Sequence, residues 1–138
     1  MIETEASPRE RIRWGRVVGL AFALEVVLFA TLLPLQPLLS LHVWFGAVVA
    51  GCAVFGYAAG WLVARGLTSR SALHGLWVGV IATAMYLLLN VFSGGIGAAV
   101  AFYGAPLFVS LNVLRIACCT LGAIMAPRAI RRETAAPR

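Results

Sequence analysis

Three features of the sequence predict an all-α fold: an integral membrane bundle of four transmembrane helices. Four apolar runs are each close to the length of about 20 residues that crosses a bilayer. The 138-residue chain is 62% hydrophobic and only 12% charged, where an ordinary soluble domain is roughly 45–50% apolar and about 25% charged. All but one of its arginines lie outside the apolar runs or at their edges. A soluble core has to be covered by polar surface, and a chain with a mean hydropathy of +0.94 has too little of it. A bilayer removes that requirement. Four spans with short connections nearly exhaust the length, so residues 1–138 are read as a single four-helix transmembrane domain.

Residues 1–15 (MIETEASPRERIRWG) form a polar tail with mixed charge and Pro8. The first span runs over about 16–39, carries one charge (Glu25), and ends in the prolines of LLPLQPLL. Its basic start fits a cleaved signal peptide. The apolar stretch is too long for one, however, and no A-x-A-like cleavage site follows, so a retained helix is expected. The second span covers 42–64 and the third 72–92. The glycine-rich stretch SGGIGAAVAFYGAP (93–106) has three open readings: an interfacial loop, a re-entrant piece, or an extension of the fourth helix. Backbone at membrane depth has to be helical or buried in protein. The fourth span covers 107–126, Pro127 is expected to stop it, and 127–138 is a second polar tail.

Topology follows from the arginines. Arg9, Arg11, Arg13 and Arg16 precede the first span, Arg65 and Arg70 separate the second from the third, and Arg128, Arg131, Arg132 and Arg138 follow the fourth. The other two connections contain no basic residue. The positive-inside rule then puts both termini and the 65–71 loop in the cytoplasm of a multi-pass protein of the cell membrane. Trp14, Trp44 and Trp77 at span edges suit the interfacial aromatic belts.

The net charge of +6 raises the question of nucleic acid. The arginines flank apolar spans rather than alternating with aromatics along a groove, which points to anionic lipid instead. Cys52, Cys118 and Cys119 all fall inside apolar runs. An odd number in such positions is read as small packing residues, neither a disulfide framework nor a metal site. The chain has no Asp, few span hydroxyls, and no phosphate loop or cofactor fingerprint. Nucleophile-and-base pairs and paired carboxylates have no candidates. No enzyme activity, metal or cofactor is expected.

Without a hydrophobic force between helices in lipid, close packing through small residues matters more. The second span carries Gly46, Ala50, Ala53, Gly56, Gly60 and Ala64 at spacings of three and four, and the third Ala72, Gly75, Gly79, Thr83, Tyr86 and Asn90. Joined by a short loop, the two spans are expected to pair as an antiparallel hairpin with Gly56, Gly60, Gly75 and Gly79 facing each other.

The stretch GYAAGWLVARGLTSRSALHGLWVGV (56–80) resembles the central hairpin of small bacterial four-helix membrane proteins of uncharacterised function. There, a Gly-xx-Ala-Gly segment closes one helix and a His-Gly-xxx-Gly segment opens the next. The resemblance implies a compact four-helix fold in a bacterial inner membrane and carries no activity with it. A second stretch, LAFALEVV (20–27), is similar to the first helix of small multidrug-resistance transporters, where an intramembrane Glu exchanges protons for cationic drugs. Those transporters pair antiparallel and have weak charge bias. This chain is strongly biased and carries an intramembrane Arg.

That Arg has one counterpart of opposite sign. Glu25 and Arg115 are the two ionisable residues placed deep in spans. Each costs about 2.5–3.5 kcal/mol at mid-bilayer on insertion scales, so the two charges are expected to meet. At a rise of 1.5 Å per residue, Glu25 lies roughly 13 Å in from Arg16 and Arg115 roughly 19 Å in from Arg128, a difference of about 6 Å. Thr83, Tyr86, Asn90 and Asn112 lie at comparable depth and are expected as polar neighbours. His42 and His74 fall near opposite interfaces and are read as interfacial. The resulting expectation is a non-enzymatic structural or accessory membrane subunit, self-associating or attached to a larger complex. The alternative is a small proton-coupled transporter using Glu25 and Arg115.

Overall fold

Prolines and glycines set where the helices end. The computed structural model describes residues 12–67 and 70–135, with side chains as far as Ala126. Helix α1 spans Trp14–Leu32 and passes into a 3-10 segment, Leu33–Leu38. Pro34 and Pro37 lack the N–H groups that would continue the α-helical ladder, and the tighter coil accommodates them. Helix α2 covers Leu41–Ala64, α3 Ser71–Ser93, α4 Ile96–Tyr103 and α5 Ala105–Ala135. Four stretches are long and apolar enough to cross a membrane: Trp14–Leu38, Leu41–Ala64, Ser71–Ser93 and Ala105–Ala126.

The 93–106 stretch contains its own two-turn helix, α4. Gly94 and Gly95 (φ 154° and 88°) precede it, and Gly104 (φ 77°) separates it from α5. Side chains strain such backbone, which is why glycine sits at both corners. The Gly104 N–H donates to the Val100 carbonyl and closes α4, while the Gly104 carbonyl accepts from Phe108 and opens α5. Pro106 occupies the first turn of α5, where no helical donor is needed. The expectation that Pro127 stops the last helix is corrected. The backbone of α5 continues to Ala135. A proline there removes a single hydrogen bond of the helical ladder, and the helix runs on past it.

Packing corrects a second expectation. The glycine stripes of α2 and α3 do not face each other; both face α5. A Cβ placed on Gly60 or Gly75 would overlap the Cys119 carbonyl, and one on Gly79 would lie 2.6 Å from the Cα of Ile116. Gly56 is seated more loosely against Cys118 and the Arg115 carbonyl. In return, a Cβ on Gly122 would overlap the Tyr57 carbonyl and lie 2.9 Å from the Trp61 amide nitrogen. Helix α5 is the better partner because it carries its own small stripe, Cys119, Gly122, Ala123 and Ala126. Backbones approach closest where both surfaces are small. Connection by a short loop makes α2 and α3 neighbours without making that interface the tightest.

Helix α1 packs on α2 and α3 through Val17, Ala21, Leu24 and Leu28, a buried row at spacings of three and four. At one end of the bundle its start is tied to both neighbours. The Arg16 guanidinium donates to the carbonyls of Leu62 and Arg65, which the end of α2 leaves unpaired. The Arg13 amide donates to Nε2 of His74 (3.2 Å), and Trp14 meets Trp77 edge to face at 5.5 Å. His74 sits at this end of the bundle but inside it rather than on its surface. It is fully buried, with Nδ1 bonded to the Arg70 carbonyl at 2.9 Å. The Arg13 N–H makes Nε2 the acceptor, which leaves Nδ1 as the donor to the Arg70 carbonyl. Arg9, Arg11 and the side chains of Arg128, Arg131, Arg132 and Arg138 lie outside the described residues.

Candidate functional site

Helical periodicity delivers the two charges of the apolar runs to the interior. Glu25 follows Ala21 by four residues and precedes Leu28 by three, on the buried face of α1. On α5, Arg115 falls between buried Leu111 and Cys119 at spacings of four. The two side chains meet, with Arg115 Nη1 donating to Glu25 Oε1 at 2.7 Å, and each is only about 5% exposed. Their helices do not. Among the described residues no α1 Cα lies within 8 Å of an α5 Cα. Both helices lean on α2 and α3, and the ion pair bridges the space between them.

The surroundings are those of a cation held in low dielectric. The Arg115 guanidinium lies 4.8 Å from the centre of the Tyr86 ring, a cation–π contact. Its Nη2 reaches the Cys52 sulfur at 3.9 Å, a weak hydrogen bond. Among the described residues, two polar atoms of the pair, Glu25 Oε2 and Arg115 Nε, have no hydrogen-bond partner.

Only part of the expected polar cluster forms around them. Tyr86 is in contact. The Asn90 and Asn112 amides donate to carbonyls one turn back on their own helices, Tyr86 and Phe108, both at 2.8 Å. The Thr83 hydroxyl is buried, makes no bond to the pair and has no partner among the described residues. An asparagine donor is met by the carbonyl on the adjacent turn, and depth alone does not turn a side chain toward its neighbours; the Asn112 Oδ1 stays buried without a partner among the described residues.

A cavity of about 170 Å³ reaches the pair. Glu25, Arg115 and Cys52 line it together with Leu28, Val48 and Leu111; the 3-10 segment contributes Leu33 and Gln36, and α4 contributes Phe102 and Tyr103. Leu33, Gln36 and Phe102 are the exposed members and mark its mouth, away from the end where Arg16, Arg65 and His74 gather. The mouth is walled by aromatics. Trp44 stacks on Tyr103 at 5.9 Å, and Phe102 meets Trp44 and Phe45 edge to face at 5.7 and 5.8 Å. Trp44 is buried in this cluster rather than facing an interfacial belt, and its indole N–H donates to the Leu32 carbonyl at 3.3 Å.

Sequence reasoning misses Cys52, Trp44, Phe102, Tyr103 and Gln36 as members of this site. The available signal is the pair of aromatic doublets, Trp44–Phe45 and Phe102–Tyr103, flanking connections without basic residues. Nothing local links one doublet to the other. Among the described residues no group of three His, Cys, Asp or Glu is placed to hold a metal ion. No family model, curated protein or solved structure matches the chain.

Proposed function

We propose that this chain is a non-enzymatic, multi-pass protein of the cell membrane, acting as a structural or accessory subunit. The observation that carries this reading is the Glu25–Arg115 bond. It joins two helices that have no backbone contact, and each charge neutralises the other where isolated charge is most expensive. A buried pair of this kind specifies which helices sit together and at what height. The wide apolar surface left on α2, α3 and α5 suits lipid, a second copy, or a larger membrane assembly. Purification in mild detergent is expected to recover the chain with a stoichiometric partner or as a defined homo-oligomer. A monodisperse monomer alone would count against the accessory reading.

Both termini are assigned to the cytoplasm. Support comes from the arginines and from the gathering of Arg16, Arg65 and Arg70 at one end of the bundle. Single cysteines at Ser7, Ser69 and Arg138, positions outside the described residues, are expected to resist an impermeant thiol reagent in intact cells. Cysteines at Gln36 and Ser93 are expected to react. Labelling of position 69 from outside would invert the orientation.

A small proton-coupled transporter is the second reading, and one observation favours it: the cavity gives an opening at one end of the bundle a route to a carboxylate with a free oxygen.

A further inference from the structure

We propose that the cavity is a binding site for a small, uncharged amphiphile, a single aromatic ring bearing a hydroxyl, with the hydroxyl at the ion pair. This inference does not depend on either functional reading above. It rests on size, wall chemistry and charge. The volume of about 170 Å³ is that of a ring with a short substituent; an engineered protein cavity of roughly 150 Å³ binds benzene. The walls are leucine, valine and aromatic rings, with Trp44, Phe102 and Tyr103 offering faces and edges for a ring to pack on.

The inner end is the opposite in character. Glu25 and Arg115 line it, both more than nine-tenths buried, and each keeps one unused polar atom: an acceptor, Oε2, and a donor, Nε–H. A buried donor or acceptor without a partner costs free energy that a ligand can recover. A hydroxyl both donates and accepts, so it can serve either the carboxylate or the guanidinium. Charge decides against ions. The pair is already neutral, so an ammonium or carboxylate head would bring a full charge into an apolar pocket with nothing left to neutralise it. A ring without a polar group would leave both atoms unpartnered.

The test uses the full chain in nanodiscs of fixed lipid composition and four probes that differ only in the head: 4-propylphenol, propylbenzene, 4-propylbenzoate and 4-propylbenzylamine. Binding is read as the saturable rise in thermal stability that a ligand selective for the folded state produces. Partition into lipid is removed by comparing wild type with Val48→Phe, which fills the cavity from its wall. Should that variant not fold, Leu33→Trp at the exposed rim closes the mouth without disturbing buried packing. 4-Propylphenol is expected to stabilise wild type saturably and with an apparent affinity at least about tenfold above that of propylbenzene, the equivalent of one recovered hydrogen bond. The difference is expected to vanish in the filled or closed variant. Equal effects of propylphenol and propylbenzene would overturn the role of the ion pair and show a purely apolar cavity that takes hydrocarbon. A stronger effect of the amine or the carboxylate would overturn the argument from charge. No saturable effect, or one unchanged by filling or closing the cavity, would overturn the site.

Discussion

Glu25→Gln and Arg115→Gln, made singly, are each expected to destabilise the folded chain by about 3–5 kcal/mol, while the double substitution regains most of that loss. Either single change leaves one buried charge without its partner. Arg115 would retain only the Tyr86 ring and a weak contact to Cys52. The two losses are expected to be unequal. A stranded carboxylate can be neutralised by taking up a proton, whereas a guanidinium keeps its charge, so Glu25→Gln is the costlier change. In the double variant two amides replace two ions and can bond to one another across the same gap. The four proteins form a double-mutant cycle whose coupling term isolates the pair, read from thermal or denaturant unfolding in detergent. Additive losses would mean that the 2.7 Å contact contributes nothing to stability. The same variants separate the two functional readings. A transporter whose Glu25 carries the proton predicts that Glu25→Gln folds and inserts yet abolishes gradient-driven flux in liposomes. A structural pair predicts loss of folded protein and no flux in any variant.

Gly60→Ala is expected to cost about 1–3 kcal/mol and Gly60→Leu to prevent recovery of folded protein. The reason lies in what a Cβ would meet. At Gly60 it is the backbone carbonyl of Cys119, which no rotamer change can move aside. Relief requires α2 and α5 to separate, which loosens their packing at Gly56 and Gly122 as well. Two controls define the comparison. Gly46 lies on the same helix in open space, where an added methyl would meet nothing within 4 Å, and Leu88 is exposed on α3. Gly46→Ala and Leu88→Phe are expected to leave the melting temperature within the scatter of wild type. A Gly60→Ala variant as stable as Gly46→Ala would refute the close approach of α2 to α5. Gly79→Leu is expected to behave like Gly60→Leu, now for its contact with Ile116 on α5 rather than with α2.

The candidate site is legible in the sequence to an uneven degree. Glu25 and Arg115 stand out because charge inside an apolar run is expensive, and their similar depth follows from helix rise alone. Tyr86 is within reach of the same depth argument. Asn90, Asn112 and Thr83 satisfy that argument equally and still do not join the pair: the two asparagines donate to the carbonyl one turn back, and the Thr83 hydroxyl bonds to no group among the described residues. The burial of His74 has no trace in the sequence because its partners, the Arg13 amide and the Arg70 carbonyl, are backbone groups with no signature in side-chain sequence.

The sequence by itself determined that four helices are long and apolar enough to cross a membrane, and near which residues their apolar spans end. Those properties depend on local composition, helix length and the backbone limits of proline and glycine. Only the tertiary structure decided that α5 is the helix both glycine stripes receive, and that α1 and α5 meet through side chains alone. The same holds for the cavity that α4 and the 3-10 segment wall off beside the ion pair. Small residues declare that a close approach is possible without naming the partner. In lipid, where apolar surface gains nothing by leaving its solvent, the partner is chosen by which two surfaces fit best over their whole length.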